Sequence, residues 1–332
     1  MAVLLLPAFL MACGSGSNPF EPDPDPGAPG AGPPGPTTPT GIPDAISGDV
    51  TRISLDPVSG NLTVEGLTLD NVPFAATYTP QPNLDRNGYT AFTAQNDALD
   101  RHSTSYFGNT NNDGSARAGV TVTGGPRNRF FGGAFYERDG AYTPPPITPT
   151  SGLVSYAGNY IGLINIDFND TGSARNDLIA VPGGTPSELI PGQAVTVEGR
   201  VFINTDFADN SIEGNIFNRS VVDGSPSLAA NTVLPSLVLI NTGIDADGSF
   251  SGNVEYEAAD FPGDNVIGNP IGDWGGIIGG PNGSGLAGAI RLTEFDGPND
   301  PLGLENEEEF GIFVLDQCGQ PVDDAVGCAG AN

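Results

Sequence analysis

Short runs of alternating apolar and polar residues recur along the second half of the chain, between residues 151 and 316. Alternation with a period of two is typical of a β-strand that buries one face. The clearest run places Val195, Val197, Val201 and Ile203 between polar neighbours. Eight such runs follow one another, at residues 153–166, 195–204, 211–218, 236–241, 249–256, 273–280, 286–293 and 310–315.

The segments between these runs are rich in Gly, Asn and Asp, and none of them shows a helical period. Consecutive strands joined by such turns pair with their neighbours as hairpins. Eight antiparallel strands suffice to close a barrel that its own side chains fill, and closure removes exposed sheet edges. The pattern predicts an all-β protein with an eight-stranded antiparallel up-and-down β-barrel at residues 151–316 and a C-terminal tail at 317–332.

A second β-rich region precedes the barrel. Residues 53–55 and 62–64 flank a turn-rich loop and predict a hairpin. Eleven Phe and Tyr residues lie between residues 74 and 142. Rings at this density usually form a core, and an aromatic contact surface is the alternative interpretation. Because the proline-rich run at 143–149 interrupts strand pairing, we predict a smaller, handle-like, β-rich N-terminal domain at 44–145.

The N-terminus has the pattern of an export signal. An apolar run at residues 2–12 is too short to span a bilayer and ends in a small residue, Ala12, before Cys13. The sequence Leu10-Met11-Ala12-Cys13 is similar to the lipobox of bacterial lipoproteins, and this resemblance implies that Cys13 is acylated after cleavage of residues 1–12. The alternative is an ordinary secreted protein in which Cys13 occurs by chance.

Residues 14–43 consist of Pro, Gly, Asp and Thr with almost no apolar side chains. Such a segment cannot bury enough surface to offset the entropy of ordering, so we predict a disordered tether that extends on the order of 80 Å. Two further cysteines, Cys318 and Cys328, form an even pair in an exported chain. They predict a disulfide that closes a short loop of the tail, provided that Cys13 is lipidated.

The chain has a net charge of −29, with 11 Arg, no Lys and 40 acidic residues. This charge disfavours some classes of binding partner. An acidic surface repels nucleic acid and anionic membranes and favours basic protein surfaces or divalent cations. Solubility in a salty habitat is the alternative explanation of this charge. We therefore expect no nucleic-acid partner, and we expect contact with a membrane only through a lipid.

Several segments together resemble the β-barrel domain of surface lipoproteins of the transferrin-binding protein B type. The residues that carry the resemblance are those at 151–158, 211–216, 247–254, 280–288 and 309–313, in this order along the chain. The resemblance implies a barrel preceded by a handle domain and held at the outer membrane by a lipidated Cys13. It also implies a non-enzymatic binding function without a cofactor.

The chain departs from that family in three respects. Gly285 stands where the family usually has an acidic residue after its Gly-Pro-Asn turn. The length accommodates one handle-and-barrel unit, whereas transferrin binders have two lobes. The family's binding loops have no recognisable counterpart, so the resemblance implies an architecture and leaves the ligand open.

Motifs for enzyme chemistry are weak. Residues 283–288 match the letters of a dinucleotide fingerprint, but β-forming residues follow where a helix is required, so we predict a hairpin turn. His102, the only histidine, lies in a polar segment and is predicted to be a surface residue. No serine has the setting of a nucleophile elbow, and the chain has too few nitrogen or thiolate ligands for a zinc site. We predict that the protein is not an enzyme.

Calcium ligands are the remaining candidate chemistry. A loop that begins at Asn109 has oxygen ligands at the correct first positions, but Val120 stands where an EF-hand requires glutamate. Two other clusters could supply oxygen ligands, one of Asp167, Asn169 and Asp170 and one of Asp245 and Asp247. The alternative interpretation is that both are solvated turns. The acidic run at 305–309 is interpreted as a solvated loop, with a basic partner as the alternative. We assign no metal site.

Taken together, the sequence predicts a lipoprotein anchored to the outer membrane that binds a protein or a small ligand at the cell envelope. An envelope-organising lipoprotein without a specific ligand is the alternative, and an integral outer-membrane barrel is a third class. The sequence does not indicate whether the anchored body faces the periplasm or the outside.

Overall fold

The computed structural model describes residues 41–67, 75–124, 126, 129–148, 152–168, 177–225, 228–298, 300–304, 306–321, 323–324 and 326–330. Within these ranges the regular structure is almost entirely β, with one four-residue α-helix, α1 (Asp44–Ser47). The all-β class predicted from the sequence is confirmed. None of the helices in this part of the chain is long and apolar enough to cross a lipid bilayer.

The first half of the described chain forms one antiparallel sheet whose strands are arranged in chain order. Its strands are β1 (Arg52–Leu55), β2 (Leu62–Glu65), β3 (Ala75–Pro80), β4 (Thr90–Ala94), β5 (Ser103–Asn109), β6 (Ala116–Thr123) and β7 (Gly132–Arg138). Ile53 lies opposite Val64, which confirms the predicted hairpin. The segment before β1 returns to β7, where Asp49 N donates to Gly132 O at 2.9 Å, so the sheet nearly closes on itself.

The second half forms a closed barrel in which every strand pairs with its neighbours in sequence. Its strands are β8 (Leu153–Phe168), β9 (Gln193–Asp206), β10 (Ser211–Val221), β11 (Leu237–Gly243), β12 (Ser249–Tyr256), β13 (Gly272–Gly279), β14 (Gly285–Leu292) and β15 (Glu309–Gln317). The last strand closes the barrel on the first, with Ile312 opposite Ile161. The described residues therefore confirm the eight-stranded antiparallel up-and-down barrel.

The predicted alternation explains the interior of the barrel. Val195, Val197, Val201 and Ile203 of β9 are all buried in one apolar cluster that fills the barrel from wall to wall. Trp274 belongs to this cluster and has no exposed surface, and its ring packs against Phe250 at 5.1 Å between centroids. The barrel thus packs its interior with its own side chains.

Two further apolar clusters form the two faces of the sheet. One lies inside the curled sheet and contains Tyr78, Phe92, Phe107 and Phe135. The other packs the opposite face against the outer surface of the barrel on β8, β9, β13, β14 and β15. Most of the rings counted in the sequence are buried in these clusters, so the core-forming interpretation is confirmed for them.

Small residues allow the sheet to approach the barrel closely. A Cβ on Gly279 of β13 would lie 2.8 Å from the carbonyl oxygen of Ser115, and a Cβ on Gly275 would lie 2.9 Å from the hydroxyl of Tyr136. Alanines of β6 pack against Ala287 and Ala289 of β14 in the same cluster. Sheet and barrel belong to one compact unit, Gly35–Asn332.

Candidate functional site

A concave surface opens where the sheet, the barrel and the C-terminal tail meet. This junction cavity has a volume of about 300 Å³, and its lining is predominantly polar. The lining comes from residues 87–89, Gly108, Asn109 and Asn111 of the sheet, from residues 157–159, Arg200, Val314 and Asp316 of the barrel, and from Asp323 and Asp324 of the tail. The cavity is therefore built from three separate parts of the fold.

The sheet wall begins with a tight hairpin turn between Arg86 and Tyr89. Asn87 and Gly88 have φ angles of 46° and 88°, and a two-residue type I′ turn requires positive φ at both positions. Asn and Gly adopt such angles most readily, so this dipeptide determines the turn. The turn is then attached to the barrel, because Asn159 Nδ2 donates to Asn87 O at 2.9 Å.

Tyr89 inserts its hydroxyl into the seam between β8 and β15. The hydroxyl donates to Asn159 O at 2.8 Å and accepts from Val314 N at 3.0 Å. Here Phe313 pairs with Tyr160 and Asp316 pairs with Ala157, and the residues between these two pairs are not directly paired. Burial raises the pKa of the Tyr89 phenol, which is therefore a neutral hydrogen-bonding group at all physiological pH values.

Asp316 of β15 attaches a second turn of the sheet to the barrel. Its carboxylate accepts from Asn111 N and Asn111 Nδ2, both at 3.1 Å, and from Asn112 N at 3.0 Å. Only 5% of Asp316 is exposed, and these amide donors compensate its charge.

The tail forms the third wall and is fixed at several points. Cys318 and Cys328 form a disulfide with a Cα–Cα distance of 5.5 Å. Cys318 N donates to Ser155 O of β8 at 2.9 Å, and Cys328 N donates to Asp324 O at 2.8 Å. Asp324 forms an ion pair with Arg200 of β9. The disulfide loop thus holds Asp323 and Asp324 against the outer surface of the barrel.

The lining of the cavity is negatively charged. Three aspartates, Asp316, Asp323 and Asp324, lie with a single guanidinium, Arg200, so the formal net charge of the lining is −2. Arg200 is already committed, since it pairs with Asp324 and donates from Nη1 to Asn159 Oδ1 at 3.1 Å. Carboxylate and amide oxygens suit a ligand that supplies N–H donors and a positive charge.

His102 is buried, and the prediction of a surface histidine is wrong. It has no exposed surface, and its Nε2 lies 2.5 Å from Asp177 Oδ1. Thr93 Oγ1 donates to the other oxygen of Asp177. The polar local sequence suggested exposure, but a partner 75 residues away satisfies the ring. Because the ring is sealed inside the protein, this His–Asp pair attaches the segment before β9 to the sheet.

The acidic run at 305–309 was predicted to be a solvated loop, and the structure corrects this prediction for the residues described below. Glu309 has no exposed surface and pairs with Arg219 at 2.5 Å inside the barrel. Its other oxygen accepts from the hydroxyl of Tyr160 at 2.5 Å. Glu308 pairs with Arg291 at 2.9 Å on the outside. These carboxylates stabilise the closing strand from both faces.

Three further carboxylates, Asp296, Asp300 and Glu307, have oxygens within 4.8 Å of one another at the β14–β15 loop. Burial raises the pKa of Glu307 to about 7, and the charge of Asp296 adds to the increase. Burial likewise raises the pKa of Asp296. This group was not predicted from the sequence, although Glu307 belongs to the acidic run at 305–309.

The earlier calcium candidates are distributed over several turns. Asp113 accepts from Ser115 N at 2.8 Å and from Ser284 Oγ at 2.6 Å, so it connects two turns. Asp247 accepts from Ser249 N at 3.0 Å and closes its own turn. Asn169, Asp170 and the predicted lipidation site Cys13 lie outside the described residues. Strand β14 begins at Gly285, inside the motif at residues 283–288, and continues beyond it, as predicted for a hairpin turn.

Comparison with known proteins gives similarities in structure alone, since no protein-family model and no curated protein matches the chain. A mutant of transferrin-binding protein B, a vaccine antigen from Haemophilus parasuis Hp5, is 14% identical, with a TM-score of 0.39 over 79% of this chain. Isotype 1 transferrin-binding protein B from serogroup B Neisseria meningitidis is 18% identical, with a TM-score of 0.33 over 81% of this chain. A structure described as a surface lipoprotein is 15% identical, with a TM-score of 0.32 over 81%.

The alignments cover different shares of these structures. This chain spans 44% of the Haemophilus parasuis chain and 39% of the meningococcal chain. It spans 97% of the surface lipoprotein. The structures are of the type that the sequence resembles.

Proposed function

We propose that the chain is a non-enzymatic binding protein of the bacterial cell envelope, tethered to the outer membrane by a lipid on Cys13. Its ligand is a protein or a small molecule that places a cationic group in the junction cavity. The observation that carries the proposal is the cavity itself: a polar concavity of about 300 Å³ with walls from the sheet, the barrel and the tail. Binding sites are typically such pre-formed concavities with a few placed polar groups.

The arrangement of the cavity favours binding over a structural role. A purely structural junction gains most from apolar packing, yet this junction keeps a water-accessible space beside the apolar interface. Two buried anchors, Tyr89 and Asp316, hold its walls in place. Rigid walls reduce the entropy lost when a ligand binds.

The charges of the residues support a cationic ligand. The lining carries three carboxylates against one guanidinium, and the chain as a whole has a net charge of −29. Long-range attraction then accelerates the approach of a basic partner, while the local carboxylates orient its N–H groups. A basic protein surface is therefore the favoured partner, and nucleic acid is disfavoured by the same charge.

The absence of an enzymatic role rests on chemistry. Among the described residues, the histidine that could act as an acid or base is sealed against Asp177. The junction cavity contains carboxylates, amides and a committed arginine, and it brings no hydroxyl or thiol nucleophile beside a base. Binding without covalent chemistry is what this set of groups can perform.

Titration calorimetry with agmatine, which carries a guanidinium and an ammonium group, tests the cavity directly. The full-length oxidised chain should bind it saturably with a stoichiometry of one. The isosteric variant with Asp316→Asn and Asp323→Asn should bind at least about tenfold more weakly, which corresponds to ~1.4 kcal/mol. The matched control is Asp264→Asn, which neutralises an exposed carboxylate outside the cavity lining.

Two results would count against the proposal. Equal heats for the double variant and the wild type would show that the cavity is not the binding site. The absence of any saturable ligand, both with agmatine and with envelope extracts passed over the immobilised chain, would favour the envelope-organising alternative. Lipid attachment is tested separately by fatty-acid labelling, which Cys13→Ser should abolish while the protein moves from the membrane fraction to the soluble fraction.

A further inference from the structure

A second concave surface lies on the outer wall of the barrel, on strands that the sheet does not cover. This flank groove has a volume of about 550 Å³ and is lined by Phe202, Asn215, Phe217, Ser236, Glu257 and Gly327. The apolar cluster between sheet and barrel contains no residue of β10, β11 or β12. Among the described residues, the tail contributes Gly327 to the lining of this groove.

Strand pairing arranges the outer side chains in rows. Phe202 of β9 lies opposite Asn215 of β10, Asn215 lies opposite Val238 of β11, and Val238 lies opposite Glu255 of β12. Phe217 lies one row away, opposite Arg200. The two rings are therefore diagonal neighbours across β9 and β10, a separation at which aromatic side chains reach one another.

These rings are apolar surface on the solvent side of the barrel. Phe202 and Phe217 are half-buried, whereas their neighbours Val201, Ile203 and Ile216 point inward and have at most 1% exposure. Val326 in the tail, beside the groove residue Gly327, is 82% exposed. Aromatic side chains on the floor of a surface groove with polar neighbours are typical of a protein–protein contact.

Charge at the rim identifies the chemistry of the partner. Glu255 of β12 and Glu257, the first residue after it, lie two strands from Phe217, about 10 Å away at the usual strand spacing. Glu257 accepts a hydrogen bond from Asn215 Nδ2 at 3.4 Å and keeps its negative charge. The arginine of the neighbouring row, Arg200, is neutralised by Asp324. A partner fits both the rings and the glutamates if it places an apolar side chain between the rings and a lysine or arginine about 10 Å away.

We infer that the flank groove docks a basic segment of a partner protein, with an apolar side chain seated between Phe202 and Phe217 and a cationic side chain on Glu255 and Glu257. A second copy of this chain is a poor occupant, because it would bring another acidic surface from a chain of net charge −29. An anionic membrane is repelled for the same reason. The groove is separate from the junction cavity, and its role does not depend on that cavity binding a ligand.

Fluorescence anisotropy with three labelled dodecapeptides tests the inference on the full-length oxidised chain. One peptide alternates arginine and leucine, one alternates glutamate and leucine, and one alternates arginine and glycine. Only the arginine–leucine peptide should bind saturably. Its dissociation constant should rise at least about tenfold in the variant with Phe202→Ser and Phe217→Ser, and about threefold in the variant with Glu255→Gln and Glu257→Gln, with the second effect reduced at high salt.

Matched variants separate the groove from other surfaces. Leu153→Ser removes an outward apolar side chain that is 78% exposed at the start of β8, and it should leave the affinity unchanged. The junction-cavity variant with Asp316→Asn and Asp323→Asn should also bind the peptide normally. If the chain binds the peptide but not agmatine, the result contradicts the proposed role of the junction cavity and leaves the groove proposal intact.

Several outcomes would overturn the inference. Binding of the arginine–glycine peptide with equal affinity would indicate charge attraction without a groove. Unchanged affinity in the double-phenylalanine variant, shown to be folded by circular dichroism, would exclude the rings as the anchor. Self-association in ultracentrifugation, or sedimentation with phosphatidylglycerol vesicles, that disappears in the same variant would assign the groove to a second copy or to a membrane.

Discussion

The hydroxyl of Tyr89, at the edge of the sheet, accepts a hydrogen bond at 3.0 Å from the amide of Val314 in the closing strand of the barrel. The same hydroxyl donates to Asn159 O in the first strand of the barrel. One phenol thus bridges the two strands between the paired positions Phe313–Tyr160 and Asp316–Ala157, where direct pairing is interrupted. The wall of the barrel is completed here by a side chain from outside it.

Removing this hydroxyl tests whether the bridge stabilises the protein. Tyr89→Phe leaves the Val314 amide and the Asn159 carbonyl without their partner, and an unsatisfied buried polar group costs about 1–3 kcal/mol. We expect a lower free energy of unfolding in urea. Tyr142→Phe, in a partly buried ring near Arg138, is the control and should have a smaller effect. An unchanged stability would mean that β8 and β15 close directly on each other once the hydroxyl is gone.

The barrel strands could be predicted because their signal is local. Alternation placed the fifth run at 249–256, and β12 spans Ser249–Tyr256. The pattern also marked Val195 and Ile203 as inward positions, and both are fully buried. The apolar face of an antiparallel strand is encoded in its own sequence, so neither result required knowledge of distant residues.

The junction cavity could not be predicted because its walls meet only through tertiary packing. Asn87, Asn159 and Asp324 are far apart in sequence and have no shared motif, yet they line one space. The burial of Arg219 could not be predicted either, for a more local reason. A register shift between Phe217 and Ser220 changes the phase of β10, so this arginine points inward although simple alternation from Ile216 would not place it there.

The buried ion pair between Arg219 and Glu309 should behave as a unit. Both side chains have no exposed surface, and Glu309 also accepts from Tyr160. Glu309→Gln leaves an uncompensated guanidinium inside the barrel and should cost about 3–5 kcal/mol. Arg219→Met should cost a similar amount.

The double variant with Arg219→Met and Glu309→Gln should be destabilised by clearly less than the sum of the single changes, because it removes both charges and keeps an acceptor for Tyr160. Urea unfolding of all four proteins gives the coupling free energy. Additive effects would indicate that the two groups are stabilised by other neighbours.

Glu307 should give stability a recognisable pH dependence. Burial raises its pKa from 4.5 to about 7 in the folded protein, so the folded state holds the proton more tightly than the unfolded state. The stabilising contribution is complete below pH ~4.5 and is lost as the pH rises through ~7. Because the side chain is partly exposed, we expect a loss of about 1 kcal/mol between pH 5 and pH 8.

The variant Glu307→Gln has no charge to titrate and should flatten this part of the profile while raising stability at pH 8. Urea unfolding at half-unit intervals of pH measures the slope. Glu213→Gln, at an outward position of β10, is the matched control and should retain the wild-type slope. A wild-type profile that is already flat from pH 5 to pH 8 would show that Glu307 is ionised throughout.

The disulfide of the tail should control the junction cavity more than the stability of the whole fold. The bond joins cysteines 10 residues apart, and closing so short a loop is worth about 2–3 kcal/mol to the segment that it constrains. The tail packs on the outer wall of the barrel and contributes no residue to the barrel's apolar cluster. The paired variant with Cys318→Ser and Cys328→Ser should therefore unfold at nearly the wild-type urea concentration.

The same variant should become sensitive to limited proteolysis within the tail, and its affinity for agmatine should fall because Asp323 and Asp324 are no longer held against the barrel. The variant Arg200→Gln is an informative partner, since it breaks the ion pair with Asp324 and leaves the disulfide intact. If the tail wall matters for binding, the cysteine variant weakens agmatine binding, whereas Arg200→Gln removes a guanidinium that competes with the ligand for Asp324 and should strengthen it. The arginine–leucine peptide distinguishes loss of the cavity from loss of the nearby groove. Agmatine binding that persists unchanged in the cysteine variant would restrict the site to the walls formed by the sheet and the barrel.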